Sequence, residues 1–140
     1  MSAQDAGRPR TVGAVTDEVE LRLPADSAYL SVLRTATAGL AARLDFTLDE
    51  IEDLRIAVDE ACALLLPDAV PGEPLTCRFV LGPDQLEITV RARSTTGRKP
   101  GRDSFAWTVL AALAGEVEAE AAGDVVTLTL RKRRGSVEHA

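Results

Sequence analysis

Residues 47–66 read TLDEIEDLRIAVDEACALLL, and this stretch decides the fold. Thr47 and Glu50 have the spacing of a capping box, in which each side chain accepts a hydrogen bond from the other residue's backbone N–H. Apolar residues then recur with the period of an amphipathic helix, at Ile51, Leu54, Val58, Ala61 and Leu65. The sequence therefore predicts a long helix that begins after the capping box and ends before Pro67.

The segments on either side of this helix have patterns of their own. Upstream, residues 19–23 alternate apolar and polar side chains, as a half-buried strand does. Asp26 can cap a first helix that runs from about Ser27 to Leu44. Downstream, the sequence predicts two strands at 75–81 and 86–90. A short helix at 105–114, capped by Asp103 or Ser104, follows them. The last predicted element is a hairpin of two strands at 116–120 and 125–130.

The predicted order of elements is β-α-α-β-β-α-β-β, with the strands grouped in hairpins. This order favours an α+β two-layer sandwich, in which helices cover one face of a mostly antiparallel sheet. The chain has 140 residues, which is enough for one buried core. We expect one domain over 17–131, between a flexible arm over 1–16 and a charged tail over 132–140.

Composition limits the kinds of partner and chemistry. The net charge is −6, and an acidic domain is repelled by phosphates, so we expect no nucleic-acid binding and a protein partner with a basic surface. No segment reads as a membrane span or a signal peptide, and the two cysteines have apolar neighbours, which favours a cytoplasmic protein with free thiols. The one histidine is His139, and the two cysteines have no metal-ligand spacing, so histidine catalysis and histidine metal sites are excluded.

Glu60 is the candidate catalytic residue of the long helix. Ile56 and Leu64 lie one turn before and one turn after it, on the side nearly opposite the apolar stripe. A carboxylate between apolar neighbours can have a raised pKa and act as a general base. The alternative is a solvated glutamate beside a minor apolar patch, and the pattern alone favours that alternative.

Residues 19–66 resemble the bacterial anti-sigma factor/serine kinases, which are small members of the GHKL (Bergerat-fold) ATPases with a histidine-kinase-like domain. The most specific match is LRIAVDEAC at 54–62, and VELRL at 19–23 and LDFTLDE at 44–50 also match. ALAGEV at 112–117 resembles the family's last helix and the turn that follows it. The resemblance covers about 19–131 and implies the same α+β fold.

Three nucleotide-binding boxes of that family are degenerate here. In its E-x-x-x-N box the glutamate activates the attacking hydroxyl and the asparagine holds Mg²⁺. Glu60 matches the glutamate, and Leu64 stands in the place of the asparagine. A leucine side chain has no oxygen for the cation. RARS at 91–94, which includes Ala92, replaces the D-x-G-x-G box whose aspartate reads adenine. Ser104 and Ala106 stand at the glycines of the phosphate-cradling G-x-G-L turn. Glu60 is therefore expected to be a vestigial base, with ATP and Mg²⁺ possible but disfavoured ligands.

The resemblance implies a binding function. We expect an anti-sigma factor that sequesters an alternative sigma factor without kinase activity and releases it when a STAS-type anti-anti-sigma protein competes for an overlapping surface. The alternative is an ATP-dependent serine kinase that phosphorylates the anti-anti-sigma protein. Arg34 matches a family arginine on the surface that contacts both partners. Family members are usually homodimers paired through the first strand and helix, where Leu21, Leu23 and Leu30 can serve.

Three further features each allow two interpretations. Phe105 and Trp107 are either core residues of the short helix or fillers of the space that a nucleotide occupies in the family. The run RKRR at 131–134 is a solvated strand end or, less in keeping with an acidic chain, a nucleic-acid-binding tail. A basic loop lies where the family has its nucleotide lid, and it is either plain solvated surface or a binding surface for an acidic partner. Its basic residues are Arg91, Arg93, Arg98, Lys99 and Arg102.

Overall fold

The computed structural model describes residues 16–135, and over that range it consists of a five-stranded antiparallel sheet and three α-helices. The strands are β1 Asp17–Pro24, β2 Pro74–Leu81, β3 Gln85–Arg93, β4 Glu116–Ala122 and β5 Val125–Arg133. The helices are α1 Leu30–Arg43, α2 Leu48–Leu65 and α3 Phe105–Ala114, with short 3-10 turns at Ser27–Tyr29 and Leu66–Asp68. The predicted order and the α+β two-layer class are confirmed.

Helix α2 begins as its sequence predicts. The Thr47 hydroxyl accepts a hydrogen bond from the Glu50 N–H at 3.1 Å, and the Glu50 carboxylate accepts one from the Thr47 N–H at 2.8 Å. The buried side of the helix is wider than the predicted stripe and consists of Leu54, Ala57, Val58, Ala61, Cys62 and Leu65. Ile51, the first residue of the predicted stripe, is only half-buried. This broad apolar side places α2 across the sheet, since a wide stripe buries more surface than a narrow seam.

The first helix begins one turn later than predicted. The Asp26 carboxylate does cap the chain, accepting a hydrogen bond from the Ala28 N–H at 2.9 Å, but the turn it caps is a 3-10 turn. The α-helix proper starts at Leu30. Its buried side packs against α2 and consists of Leu33, Thr37 and Ala41.

The sheet has the strand order β1-β2-β3-β5-β4, so β5 lies between β3 and β4. Side chains alternate along each strand, and one face of the sheet forms the core beneath the helices, with Phe79, Ile88 and Leu128 fully buried. Two strands continue three residues past their predicted ends: β3 to Arg93 and β5 to Arg133. The added residues of each strand pair with the other strand. Arg133 of β5 lies opposite Gln85 of β3, and Arg93 of β3 lies opposite Val125 of β5.

The basic run at 131–134 is anchored in the fold. Arg131 forms ion pairs with acids on β3 and β4 at 3.4–3.5 Å, and the Lys132 ammonium donates to the Leu113 carbonyl at 2.9 Å. The Arg134 guanidinium donates to the Leu44 carbonyl at 3.2 Å. The run is therefore the end of a strand, as one of the two interpretations has it, although only Arg133 of its four residues is exposed. Residues 132 and 133, which the sequence assigns to the tail, belong to the sheet. Residues 1–15 of the predicted arm and 136–140 of the predicted tail lie outside the described residues.

None of the helices within residues 16–135 has the length and apolar character needed to span a bilayer.

Candidate functional site

Glu60 lies half-buried on α2, between Ile56, which is 39% exposed, and the half-buried Leu64. Within residues 16–135 its carboxylate forms neither a hydrogen bond nor an ion pair. No neighbouring group in the structure therefore orients Glu60 as a base. Its predicted catalytic role stays a prediction.

Leu64 and Ala92, which stand at two of the degenerate nucleotide positions, come together where α2 ends above β3. They line the same small cavity of about 10 Å³ with Ser94 and Arg98. A single water needs roughly 10–15 Å³, and sites for small molecules span about 300–1,000 Å³. Leu64 packs against the core and Ala92 is 4% exposed, so neither presents an oxygen to a cation or an acid to an adenine. These residues do not fit a bound Mg²⁺·ATP.

The chain just beyond β3 is folded tightly against the β4–β5 turn. The Ser94 N–H donates to the Asp124 carbonyl at 2.6 Å, and the Ser94 hydroxyl accepts hydrogen bonds from the N–H groups of Thr96 and Gly97 at 3.1 and 3.0 Å. Gly97 has φ +68°, and a Cβ there would lie 2.9 Å from the Gly123 carbonyl oxygen. This position therefore requires glycine, and the turn holds the start of the basic loop in place.

Ser104 and Ala106, the other two degenerate positions, lie at the start of α3 and do not line the cavity beside Leu64. The Ser104 hydroxyl accepts a hydrogen bond from the Trp107 N–H at 3.1 Å and donates one to the Gly101 carbonyl at 2.9 Å. One N–H of the first turn, which a phosphate would need, is thus already bound by the cap. The structure brings together two of the four degenerate positions and leaves these two apart.

Phe105 and Trp107 have different environments. Trp107 is 6% exposed and belongs to the core, and the Arg102 guanidinium lies 5.1 Å from the centroid of its ring. Phe105 is 83% exposed, so the prediction that it packs in the core is wrong. The reason is helical geometry, because residues two apart point to nearly opposite sides of a helix. Trp107 does not line the cavity beside Leu64 either.

Arg34 joins the two long helices. Its Nη1 donates to the Asp59 carboxylate of α2 at 3.0 Å, and the two side chains are 34% and 37% exposed. Tyr29, in the 3-10 turn just before α1, and Val32, in the first turn of α1, are 43% and 46% exposed. Sequence reasoning missed Asp59, because nothing local marks a contact across 25 residues. The spacing of Tyr29 and Val32 could have indicated a second apolar side of α1.

The predicted dimer residues are close to an open edge of the sheet. β1 pairs with β2 on one side and with no other strand among residues 16–135. Leu21, Leu23 and Leu30 are half-buried and pack against the core. They are therefore partly used within the chain, and their remaining surface lies beside the edge strand.

Both cysteines are buried and free, as predicted. Burial raises the pKa of the Cys77 thiol to about 12. Burial also raises the pKa of Cys62 to about 12, with smaller contributions from the nearby Cys77 and Asp59. Thiols of this kind are protonated at neutral pH and unreactive.

The fold and this site define the class of the protein: a GHKL-like α+β sandwich with Leu64 and Ala92 at a corner that has free space of only about 10 Å³. No protein-family model matches the chain. It is 36% identical over 141 residues to the anti-sigma-F factor RsbW of Mycobacterium tuberculosis, an alignment that covers 93% of this chain and 79% of that protein. The chain therefore belongs to the RsbW family of anti-sigma factors and serine-protein kinases.

Two further similarities agree with this assignment. The chain is 38% identical over 77 residues to the serine-protein kinase RsbW of Bacillus subtilis, with 53% of this chain and 48% of that protein aligned. Among solved structures, that of the RsbU and RsbW domains of Rv1364c from Mycobacterium tuberculosis superposes with a TM-score of 0.68 at 16% identity. That superposition covers 84% of this chain and 32% of the larger one, and it supports the fold.

Proposed function

We propose that this protein is an anti-sigma factor that sequesters an alternative sigma factor by direct binding and does not phosphorylate its antagonist. The observation that carries the proposal is the corner formed by Leu64 and Ala92, where neither side chain can ligate Mg²⁺ or adenine and where the free space of about 10 Å³ is far below that of a nucleotide site. It supports binding over kinase activity, since phosphoryl transfer depends on positioned phosphates and a metal ion. The M. tuberculosis relative, which aligns over 93% of this chain, is named an anti-sigma factor, and that name supports the anti-sigma function.

The binding surface we propose is centred on Arg34. Asp59 holds one nitrogen of the guanidinium at 3.0 Å and so fixes the direction of the group. The other nitrogens have no side-chain partner within residues 16–135 and can pair with a carboxylate of the sigma factor. Arginine is a frequent anchor of protein interfaces, because its planar fork of donors matches a carboxylate.

Release of the sigma factor follows from competition. A STAS-type anti-anti-sigma protein that binds an overlapping surface lowers the free concentration of this chain and frees the sigma factor by mass action. No covalent step on this chain is required. The exchange takes place in the cytoplasm, where a sigma factor meets its polymerase.

We also propose that the protein is a homodimer paired beside β1. The unpaired edge of this strand and the half-buried Leu21, Leu23 and Leu30 support that arrangement. Sedimentation of the purified chain should give a concentration-dependent dimer. Introducing a lysine at Leu21 should then favour the monomer, because a charge at a buried contact is costly.

The test of the main proposal is calorimetric titration of the chain with the alternative sigma factors and STAS proteins of the same genome, in buffer without ATP or Mg²⁺. We expect one sigma factor to form a stable complex. Arg34→Glu should weaken it by more than about 1 kcal/mol, which is roughly fivefold or more. Arg43→Glu changes an exposed arginine at the other end of α1 and should have little effect.

Two results would contradict the proposal. One is the absence of any complex unless ATP and Mg²⁺ are present. The other is transfer of labelled phosphate from ATP to a STAS protein that is lost in Glu60→Ala, which would favour the serine-kinase alternative.

A further inference from the structure

Three exposed cations and one exposed aromatic ring occur within eight residues, in the segment that leads from β3 into the start of α3. We name it the loop face, and its members are Arg98, Lys99, Arg102 and Phe105. Phe105 is 83% exposed, which makes it, with Leu48, one of the two most exposed large apolar side chains of residues 16–135. The Arg34 site does not use any of these residues.

The charges of the loop face are not neutralised within the part of the chain that the structure describes. Arg98, Lys99 and Arg102 form no ion pair there. The contrast is Arg93, at the start of the same segment, which pairs with Asp124 at 2.6 Å and Glu73 at 3.6 Å. Residues 98–105 hold three cations and one acid, Asp103, and this local excess of positive charge on a chain of net charge −6 attracts an acidic group.

The loop face is held in a defined arrangement. Its first end is fixed by Gly97 against the β4–β5 turn, where a Cβ would lie 2.9 Å from a backbone oxygen. Its second end is fixed by Ser104, which caps α3 and bonds the Gly101 carbonyl at 2.9 Å. Arg102 rests over the buried Trp107 ring at 5.1 Å. A surface fixed in this way loses little conformational entropy when it binds.

We propose that the loop face is a docking surface for an acidic segment of a protein partner. Arg98, Lys99 and Arg102 pair with carboxylates of that segment, and an apolar side chain of the segment covers Phe105. The proposal deepens the proposed function, since it adds a second contact surface, separate from Arg34, for one of the two protein partners.

A protein segment fits this surface better than a nucleic acid does. Three cations can neutralise three phosphates, but a strand that continues beyond them meets a chain of net charge −6. Single-stranded nucleic acid also needs successive stacking rings, and the loop face has one exposed ring. A short acidic segment with one apolar residue matches both the charge and the single ring.

The first experiment probes the loop face directly and does not depend on the proposed function. Backbone amide shifts are recorded while a short peptide of aspartate, glutamate and leucine is added, and then a short single-stranded DNA. We expect the peptide to shift the amides of residues 98–105, with an effect that weakens at high salt. Absence of shifts in these residues, or stronger shifts with DNA than with the peptide, would overturn the proposal.

The second experiment uses a variant that spares the packing of Trp107. Arg98→Ser and Lys99→Ser combined with Phe105→Ser should abolish the peptide shifts and weaken one of the two partner complexes roughly tenfold. A matched variant, Arg43→Ser with Arg133→Ser, removes two exposed cations elsewhere and should leave binding unchanged. If the wild-type chain binds its partners and the first variant binds both of them equally well, the proposal is wrong while the proposed function stands. Failure of the wild type to bind any partner affects the proposed function, and the peptide titration still decides the loop face.

Discussion

The carboxylate of Glu50 connects two distant parts of the chain, and its removal should cost measurable stability. One oxygen accepts a hydrogen bond from the Thr47 N–H at 2.8 Å, and the other accepts one from the Gly135 N–H at 2.7 Å. Hydrogen bonds to a charged group contribute about 1.5–3 kcal/mol each when well buried. These bonds are solvent-exposed, so screening reduces each to roughly 1 kcal/mol. Glu50→Ala should therefore lower the free energy of unfolding by about 2 kcal/mol.

The assay is urea denaturation followed by circular dichroism. Glu50→Ala should shift the midpoint without changing the slope, because the surface exposed on unfolding stays the same. Thr47→Ala removes only the helix cap and should cost about 1 kcal/mol. Glu52→Ala is the control, since that exposed carboxylate has only an Arg55 pair at 3.5 Å one turn away. The reasoning is refuted if Glu50→Ala is no more destabilising than Glu52→Ala.

The same carboxylate predicts a pH dependence. Burial raises the pKa of Glu50, but hydrogen bonds from Thr47 and Gly135 outweigh it and leave the pKa below its ordinary value of 4.5. A pKa that is lower in the folded state stabilises the fold above the ordinary value, and this stability is lost as the pH falls through the folded pKa. The stability of Glu50→Gln should therefore fall less steeply than that of wild type below about pH 4.5. Equal slopes for the two proteins would count against these bonds.

Three further predictions concern other parts of the fold. Gly97→Ala should destabilise the fold by more than about 1 kcal/mol in urea denaturation, because the φ of Gly97 is +68° and the added Cβ meets a backbone oxygen. Gly39 has open space around it, so Gly39→Ala should instead stabilise α1 by about 0.5–1 kcal/mol. Cys62 and Cys77, each with a pKa raised to about 12, should react with a thiol reagent at neutral pH only after unfolding, and fast labelling of the native chain would contradict their burial. Leu64→Asn should give no heat with ATP and Mg²⁺ in calorimetry, since the free space of about 10 Å³ is far below that of a nucleotide site, and micromolar binding would disprove that.

The elements that the sequence predicts well are those specified by local chemistry. The capping box of Thr47 and Glu50 involves residues three apart and forms as expected. The Asp26 and Ser104 caps are equally local. Alternation along β2 and β3 is also visible without the partner strands, because one face of the sheet is buried.

The features that the sequence could not provide depend on distant partners. The ends of β3 and β5 are polar, and they are strands only because they pair with each other. Arg93 of β3 lies opposite the start of β5, and Arg133 of β5 lies opposite the start of β3. The contact between Arg34 and Asp59 crosses 25 residues and leaves no periodic signal. For Phe105 the composition of α3 was misleading, since a nearly all-apolar helix does not reveal which side faces outward.

The position of β5 has a consequence for synthesis of the chain on the ribosome. β4 is made first but contacts the sheet only through β5, so it has no place to pair until residues 125–133 have left the exit tunnel. Until then the apolar side of α3, which includes Leu110, lacks the β5 part of its cover. Nascent chains paused after β4 should therefore expose the apolar side of α3 to chaperones, and the domain should close only once β5 has emerged.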